Sequence, residues 1–101
     1  MQHIEQRKSR NRRFYIVVKA DNGEVLITSP LYDTELELRY VVSNLNENRY
    51  EIEKRQRLNG KPYYAVVSKE DNELLGVSEH FSSNQMRDKS ITALLKVLNN
   101  D

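Results

Sequence analysis

One stretch of this chain is written twice. Residues 14–29, FYIVVKADNGEVLITS, are echoed by residues 63–78, YYAVVSKEDNELLGVS, at a constant shift of 49 positions and without a gap. At that shift Tyr15, Val17, Val18, Glu24, Leu26 and Ser29 meet Tyr64, Val66, Val67, Glu73, Leu75 and Ser78. An internal duplication constrains a short chain severely, because a half of roughly 50 residues buries too little surface to stand alone. The copies are therefore expected to fold against each other as a single domain over residues 1–101, with repeat one over about 2–48 and repeat two over about 49–101.

Within each copy the pattern reads strand, strand, strand, helix. His3 to Lys8 lies opposite Ile52 to Arg57 at the same shift, and YEIEKRQR reads as a charged strand with Tyr50 and Ile52 on one face and Glu51 and Glu53 on the other. Turns follow at Ser9-Arg10-Asn11-Arg12 and at Leu58-Asn59-Gly60-Lys61, the Asn-Gly pair reading as a type I′ turn. In the next strand Phe14, Ile16, Val18 and Ala20 share the core face while Tyr15, Val17 and Lys19 point the other way. Asn22-Gly23, and Asp71-Asn72 in the second copy, turn the chain into a third strand ending at Ser29 or Ser78.

The hydrophobic period then changes from two to 3.6. Leu38, Val41, Val42 and Leu45 fall at helical spacing, as do Ile91, Leu94, Leu95 and Leu98. Thr34 with Glu37, and Ser82 with Gln85, fit the capping box that opens a helix. The first helix is expected to stop near Asn46 to Asn48 and the second near Leu98. The fold class is α+β: two tandem β-β-β-α repeats forming one antiparallel sheet, with two helices on one face.

These residues resemble the YegP-like family of small bacterial proteins of unknown function. The likeness rests on Asn22-Gly23-Glu24-Val25-Leu26, a strand ending in Ser29, the aromatics Tyr32 and Phe81, and Thr34 or Ser82 opening a helix. The junction from Tyr50 through Arg55 to Asn59-Gly60-Lys61-Pro62-Tyr63 is similar too, so the likeness covers Ile4 to Leu98. It implies two β-β-β-α units, related by a pseudo-twofold, merging into one sheet, and implies no activity. The chain departs from the family at Leu38, Tyr40 and Val41 and at Arg87, Lys89 and Ser90, where small residues and a glycine are usual. The family also tends to carry a strand after each helix, so a chain stopping after the second helix is expected to leave one sheet edge open.

Composition narrows the function classes. With 38% hydrophobic and 31% charged residues, a thin folded layer is expected rather than disorder. There is no cysteine, hence no disulfide, thiolate nucleophile or cysteine-held zinc. The opening MQHIEQRKSRNRR has no apolar run for a signal peptide or membrane span, so a cytoplasmic protein without membrane contact is expected. Gly23, Gly60 and Gly76 are too scattered to cradle a phosphate, and His3 and His80 lack a second histidine at ligand spacing. Ser29 and Ser78 have neither a nucleophile elbow nor an adjacent base, and Glu24 and Glu73 would act as an acid/base pair only if the fold brought them together. No catalytic, metal or cofactor residue is assigned, and the chain is expected not to be an enzyme.

Charge placement says more than the net charge of +1. Arg7, Lys8, Arg10, Arg12 and Arg13 crowd the first turn of copy one, and Lys54, Arg55, Arg57 and Lys61 crowd its counterpart. These are the candidate contacts to nucleic acid or an acidic partner. Asp21 and Glu24, and Glu70, Asp71 and Glu73, make the following turns acidic. If the helices cover the Phe14–Ile16–Val18 face, then Tyr15, Val17, Tyr64 and Val66 form a wet opposite face, a candidate for base stacking or protein contact. The expected role is a non-catalytic binding or interaction module, with a homodimer or protein partner held at the open sheet edge or face. Nucleic-acid binding through the basic turns and sheet tyrosines is the alternative.

Overall fold

The alternation of residues 14–20 becomes a strand, and the two periodic segments become helices. A computed structural model describes residues 3–99; residues 1–2 and 100–101, on which the outer limits of the expected repeats fall, lie outside the described residues. The elements run β1 (Ile4–Lys8), β2 (Phe14–Lys19), β3 (Val25–Thr28), α1 (Glu35–Asn46), β4 (Tyr50–Gln56), β5 (Pro62–Ser68), β6 (Leu74–Val77) and α2 (Asn84–Asn99). All six strands form one antiparallel sheet in the order β1-β2-β3-β6-β5-β4. Ile16, Val18, Ile27, Tyr64, Val66 and Leu75 on one sheet face share a core with Leu38, Val41 and Leu45 of α1 and Leu94, Val97 and Leu98 of α2. Both helices therefore lie on one side, and this open sheet with two helices is an α+β fold.

The gapless shift of 49 does not survive in three dimensions. In the first hairpin Ser9 N–H donates to Arg13 C=O, and in the second Arg57 N–H donates to Lys61 C=O, so β1 and β2 match β4 and β5 at a shift of 48. Ser29 Oγ accepts Ile16 N–H at 2.9 Å and Ser78 Oγ accepts Tyr64 N–H at 3.0 Å, so beyond the next turn the shift is 49. The extra residue lies in the β5–β6 loop. There Ser68 N–H reaches Glu73 C=O, whereas Ala20 N–H reaches Glu24 C=O in the shorter β2–β3 loop.

One residue in a strand exchanges its faces. Tyr64 and Val66, expected on the wet face, are instead the counterparts of Ile16 and Val18, and both are 0% exposed beneath the helices. The Tyr64 hydroxyl donates to Leu26 C=O at 3.2 Å and lies 2.8 Å from Ser90 Oγ, tying one half of the chain to the other. Burial pushes that phenol up to about 12. Ser29 and Ser78 are buried strand-end residues whose hydroxyls also donate to the next carbonyl, at 2.9 and 2.8 Å.

The turns differ in type from expectation. Gly23 (φ +89°) and Gly60 (φ +87°) are left-handed but Asn22 and Asn59 are not, which is the three-residue hairpin loop closed by a left-handed residue rather than a type I′ turn. The second β1–β2-type turn accordingly spans Arg57 to Gly60, with Gly60 N–H on Arg57 C=O at 2.9 Å. Thr34 caps α1 in a full capping box with Glu37, and Asn48 (φ +59°) ends the helix by letting Arg49 N–H reach Asn44 C=O. In α2 the cap is Ser83 rather than Ser82: Ser83 Oγ accepts Met86 N–H at 3.2 Å, and Met86 offers no carboxylate in return.

The halves join where β3 meets β6, with Thr28 opposite Val77. Ile27 and Gly76 occupy matched positions there, and a Cβ built on Gly76 would sit 2.9 Å from Ile27 Cδ1. One isoleucine fills the space of two side chains. The outer strands are β1 and β4, so among the described residues both sheet edges are open, not one, and neither follows the second helix. Gly76→Ala should destabilise the fold by about 1–3 kcal/mol through overpacking. Ile27→Val, which removes the atom in the way, should recover a large part of that loss when both variants are compared by urea unfolding.

Candidate functional site

The strand order decides what the charged residues can do together. Adjacent strands alternate in direction, so the Ser9–Arg13 turn lies at one end of the sheet and the Arg57–Lys61 turn at the other, on opposite edges. The two basic clusters are thus separated rather than merged into one patch. Glu24 and Glu73 likewise sit at the starts of antiparallel neighbours and are not brought together.

Several of the basic residues are also engaged within the chain. Arg7 Nε donates to Glu5 at 2.6 Å, Arg55 donates to Glu53 at 2.6 Å, Arg13 Nε lies 3.2 Å from Asp33, and Lys54 Nζ lies 3.3 Å from Asp88. Lys8 Nζ stands 5.3 Å from the Phe14 ring centroid. Arg10, Arg12, Arg57 and Lys61 remain on exposed turns, with no carboxylate within 4 Å among the described residues.

The helix-free face is not a wet apolar surface at its centre. Val17 is 2% exposed, Ala65, which takes the place assigned to Val66, is 0% exposed, and Val67 on the same face is 2% exposed. Tyr15 and Tyr63 lie half-buried beside them, opposite Arg7 and Arg55. Glu5 is held below the usual carboxylate range first by Arg7 and then by Lys19, whose Nζ is 3.4 Å away. On this face Glu5 is paired with Arg7 and Lys19, and Glu53 with Arg55, and the place beside an arginine expected of Tyr64 is taken by Tyr63 because the Tyr64 ring is in the core.

What the matched positions do not share is more informative. On the helix side of the outer strands, Gln6 of β1 corresponds to Lys54 of β4, and Arg39 of α1 corresponds to Asp88 of α2. Lys54 and Asp88 close the gap between strand and helix with an ion pair. Gln6 and Arg39 cannot form one, and there the gap is open. It is a cleft of about 510 Å³ with Ile4, Ile16 and Val42 as its floor and Gln6, Arg39 and Ser43 on its rim. Among the described residues no carboxylate lies within 4 Å of the Arg39 guanidinium. Glu47, at the Ile4 end, is instead held below the usual range by Ser43 and Arg49.

Sequence reading assigned neither Gln6 nor Arg39 to a site. Their signal is present only as a difference between halves, and it appears once the shift is 48 for strands β1 and β4 and 49 for the helices.

The geometry defines a small α+β protein whose open six-stranded antiparallel sheet carries both helices on one face. No family model matches the chain. It is 32% identical over 94 residues to a UPF0339 protein of Acinetobacter baylyi, covering 90% of this chain and 82% of that one. It is 30% identical over 96 residues to the UPF0339 protein YegP of Escherichia coli, covering 90% and 84%. The chain belongs to the UPF0339 (YegP) family. The solution structure of E. coli YegP, described as a protein of unknown function, matches with a TM-score of 0.83 at 28% identity, covering 97% of this chain and 85% of that one. A solution structure of a UPF0339 protein from Shewanella oneidensis matches with a TM-score of 0.79 at 32% identity, covering 96% and 81%.

The closed side can be tested by titration. The Asp88 carboxyl is held below its usual range first by Arg87 and then by Lys54. A depressed carboxyl stabilises the fold above the unfolded pKa of about 3.9, and that contribution is lost as pH falls through the lower folded value. Carboxyl-carbon NMR should show the Asp88 pKa rising in both Arg87→Met and Lys54→Met, more in the former. An unchanged value in Lys54→Met would mean that the strand-to-helix tie is not formed in solution.

Proposed function

We propose that the chain is a non-catalytic interaction module of the cytoplasm: one domain of two tandem β-β-β-α repeats, about 2–48 and 49–101, related by a pseudo-twofold. Paired turns, paired strand-end serines and the element order repeated in each half support that reading. Among the described residues no helix is long and apolar enough to cross a membrane. One repeat is closed at its outer strand and the other is open, and the open β1–α1 cleft is the recognition site.

The observation that carries this is the replacement of the Lys54–Asp88 tie by Gln6 and Arg39. The class of partner follows from the neighbouring edge. Lys19 N–H bonds His3 C=O and Ser9 N–H bonds Arg13 C=O, so His3, Glu5, Arg7 and Ser9 turn their backbone groups toward β2. The alternate residues Ile4, Gln6 and Lys8 therefore direct theirs outward, to the unpaired edge. Their side chains pair across with Val18, Ile16 and Phe14, on the face where the cleft opens. An extended polypeptide added to β1 would satisfy those backbone groups and lay alternate side chains over the cleft, the strand-addition mode of peptide recognition. Nucleic acid, by contrast, would meet one basic turn at a time.

Grafting the closed pair onto the open side tests this. A random peptide library displayed on phage should enrich β-forming sequences on the native protein and lose them on the Gln6→Lys/Arg39→Asp variant, with circular dichroism confirming that the variant is folded. Equal enrichment on both proteins, or none on the native one, would contradict strand addition at this cleft.

A further inference from the structure

We infer that the segment received at β1 carries an acidic side chain facing Arg39 and an apolar side chain two residues later; this rests on strand addition as the mode of binding. The placement comes from the order of groups along the cleft. The N-terminal turn of α1 lies at the Lys8 end, where Glu35 lines a hollow with Gln6, Arg7, Lys8 and Phe14. Arg39 stands one turn further on, at the level of Gln6, as its counterpart Asp88 stands at the level of Lys54. Val42 and Ser43 follow at the level of Ile4.

A strand pairing antiparallel to β1, the sense used by every pair in this sheet, runs past Lys8, then Gln6, then Ile4. Its side chains alternate, so residues two apart face the cleft. The residue opposite Gln6 meets a guanidinium without a partner carboxylate and the Gln6 amide, a donor pair that suits a carboxylate. The next residue on that face meets Ile4 and Val42, which suit an aliphatic group. An acidic residue, any residue, then an aliphatic one is the pattern the cleft specifies.

A second copy of the chain does not supply it. Pairing β1 with another β1 about Gln6 sets Gln6 against Gln6 and brings two Arg39 cations to the same joint. Pairing it with β4 presents Tyr50, Ile52, Lys54 and Gln56 toward the cleft, where Lys54 repels Arg39. Like charges at such a joint disfavour association, whereas a heterologous acidic strand is attracted.

The test uses two capped octapeptides of threonine and valine, one with glutamate followed two positions later by isoleucine, the other with glutamine in place of the glutamate. In low-salt titration calorimetry the glutamate peptide should bind the native protein more tightly by up to about fivefold, the upper end of what an exposed ion pair contributes. Arg39→Gln should abolish that difference, so that the variant binds the two peptides equally. Equal affinities on the native protein, or a preference that persists in Arg39→Gln, would overturn the acidic specificity and leave strand addition standing. Failure of both peptides to bind would overturn strand addition itself, and with it the specificity. A dimer seen by light scattering and dispersed by Gln6→Pro would likewise overturn both, since the edge would already be occupied.

Discussion

Ile27 already fills the space in which a side chain on Gly76 would lie, and it is at this close contact that the two halves of the sheet pack against each other. Each three-stranded meander on its own would have two unpaired edge strands and one helix to cover one of its faces. The β3–β6 joint, Thr28 against Val77, turns two such fragments into a six-stranded sheet with a shared core. Tyr64 reinforces the joint from beneath, its hydroxyl crossing to Leu26 of the other half while its ring stacks on Phe81 at 6.3 Å. Because that joint is antiparallel, whatever one half places at a given corner the other places at the opposite corner. Basic turns, acidic turns and outer strands are all distributed in this way, which is why no single strongly charged face arises from two charged turns.

Much of the fold was legible in the residues. The alternation from Phe14 to Ala20, the 3.6 spacing from Leu38 to Leu45 and the pairing of Thr34 with Glu37 each point to one local structure, and each forms it. The likeness to the YegP family was legible as well. The register of the second half was not, for a physical reason that lies in the letters themselves. Tyr63-Tyr64, Val66-Val67 and Val17-Val18 are doublets, so sliding one copy by a single residue still aligns tyrosine with tyrosine and valine with valine. Strand parity, however, is reversed by that slide. Loops of three and four residues both close on a left-handed residue, Gly23 in one and Asn72 (φ +60°) in the other, so turn chemistry alone could not reveal the insertion.

The site was hidden for a related reason. A cleft between an outer strand and a helix takes residues far apart in the chain, and Gln6 and Arg39 are individually unremarkable surface residues. They become informative only beside Lys54 and Asp88, and that comparison requires the correct register first. The charged turns, conspicuous in the sequence, contribute less because several of their cations are spent on Glu5, Glu53, Asp33 and Asp88 within the chain. An unpaired edge is ordinarily blunted by charge or by a tie to the next layer. In this chain β4 has both, with Lys54 bridged to α2, whereas β1 keeps an uncharged glutamine at the corresponding place and a cleft beside it.

Strand addition at that edge leaves a signature that no other mode of binding shares. Amide hydrogen exchange followed by NMR, with and without saturating acidic peptide, reads it residue by residue. The outward amides of Ile4, Gln6 and Lys8 should gain protection, while those of Glu5 and Arg7, already bonded to β2, should change little. Protection that fails to alternate along β1, or that appears along β4 instead, would contradict the assignment of the open cleft as the binding site.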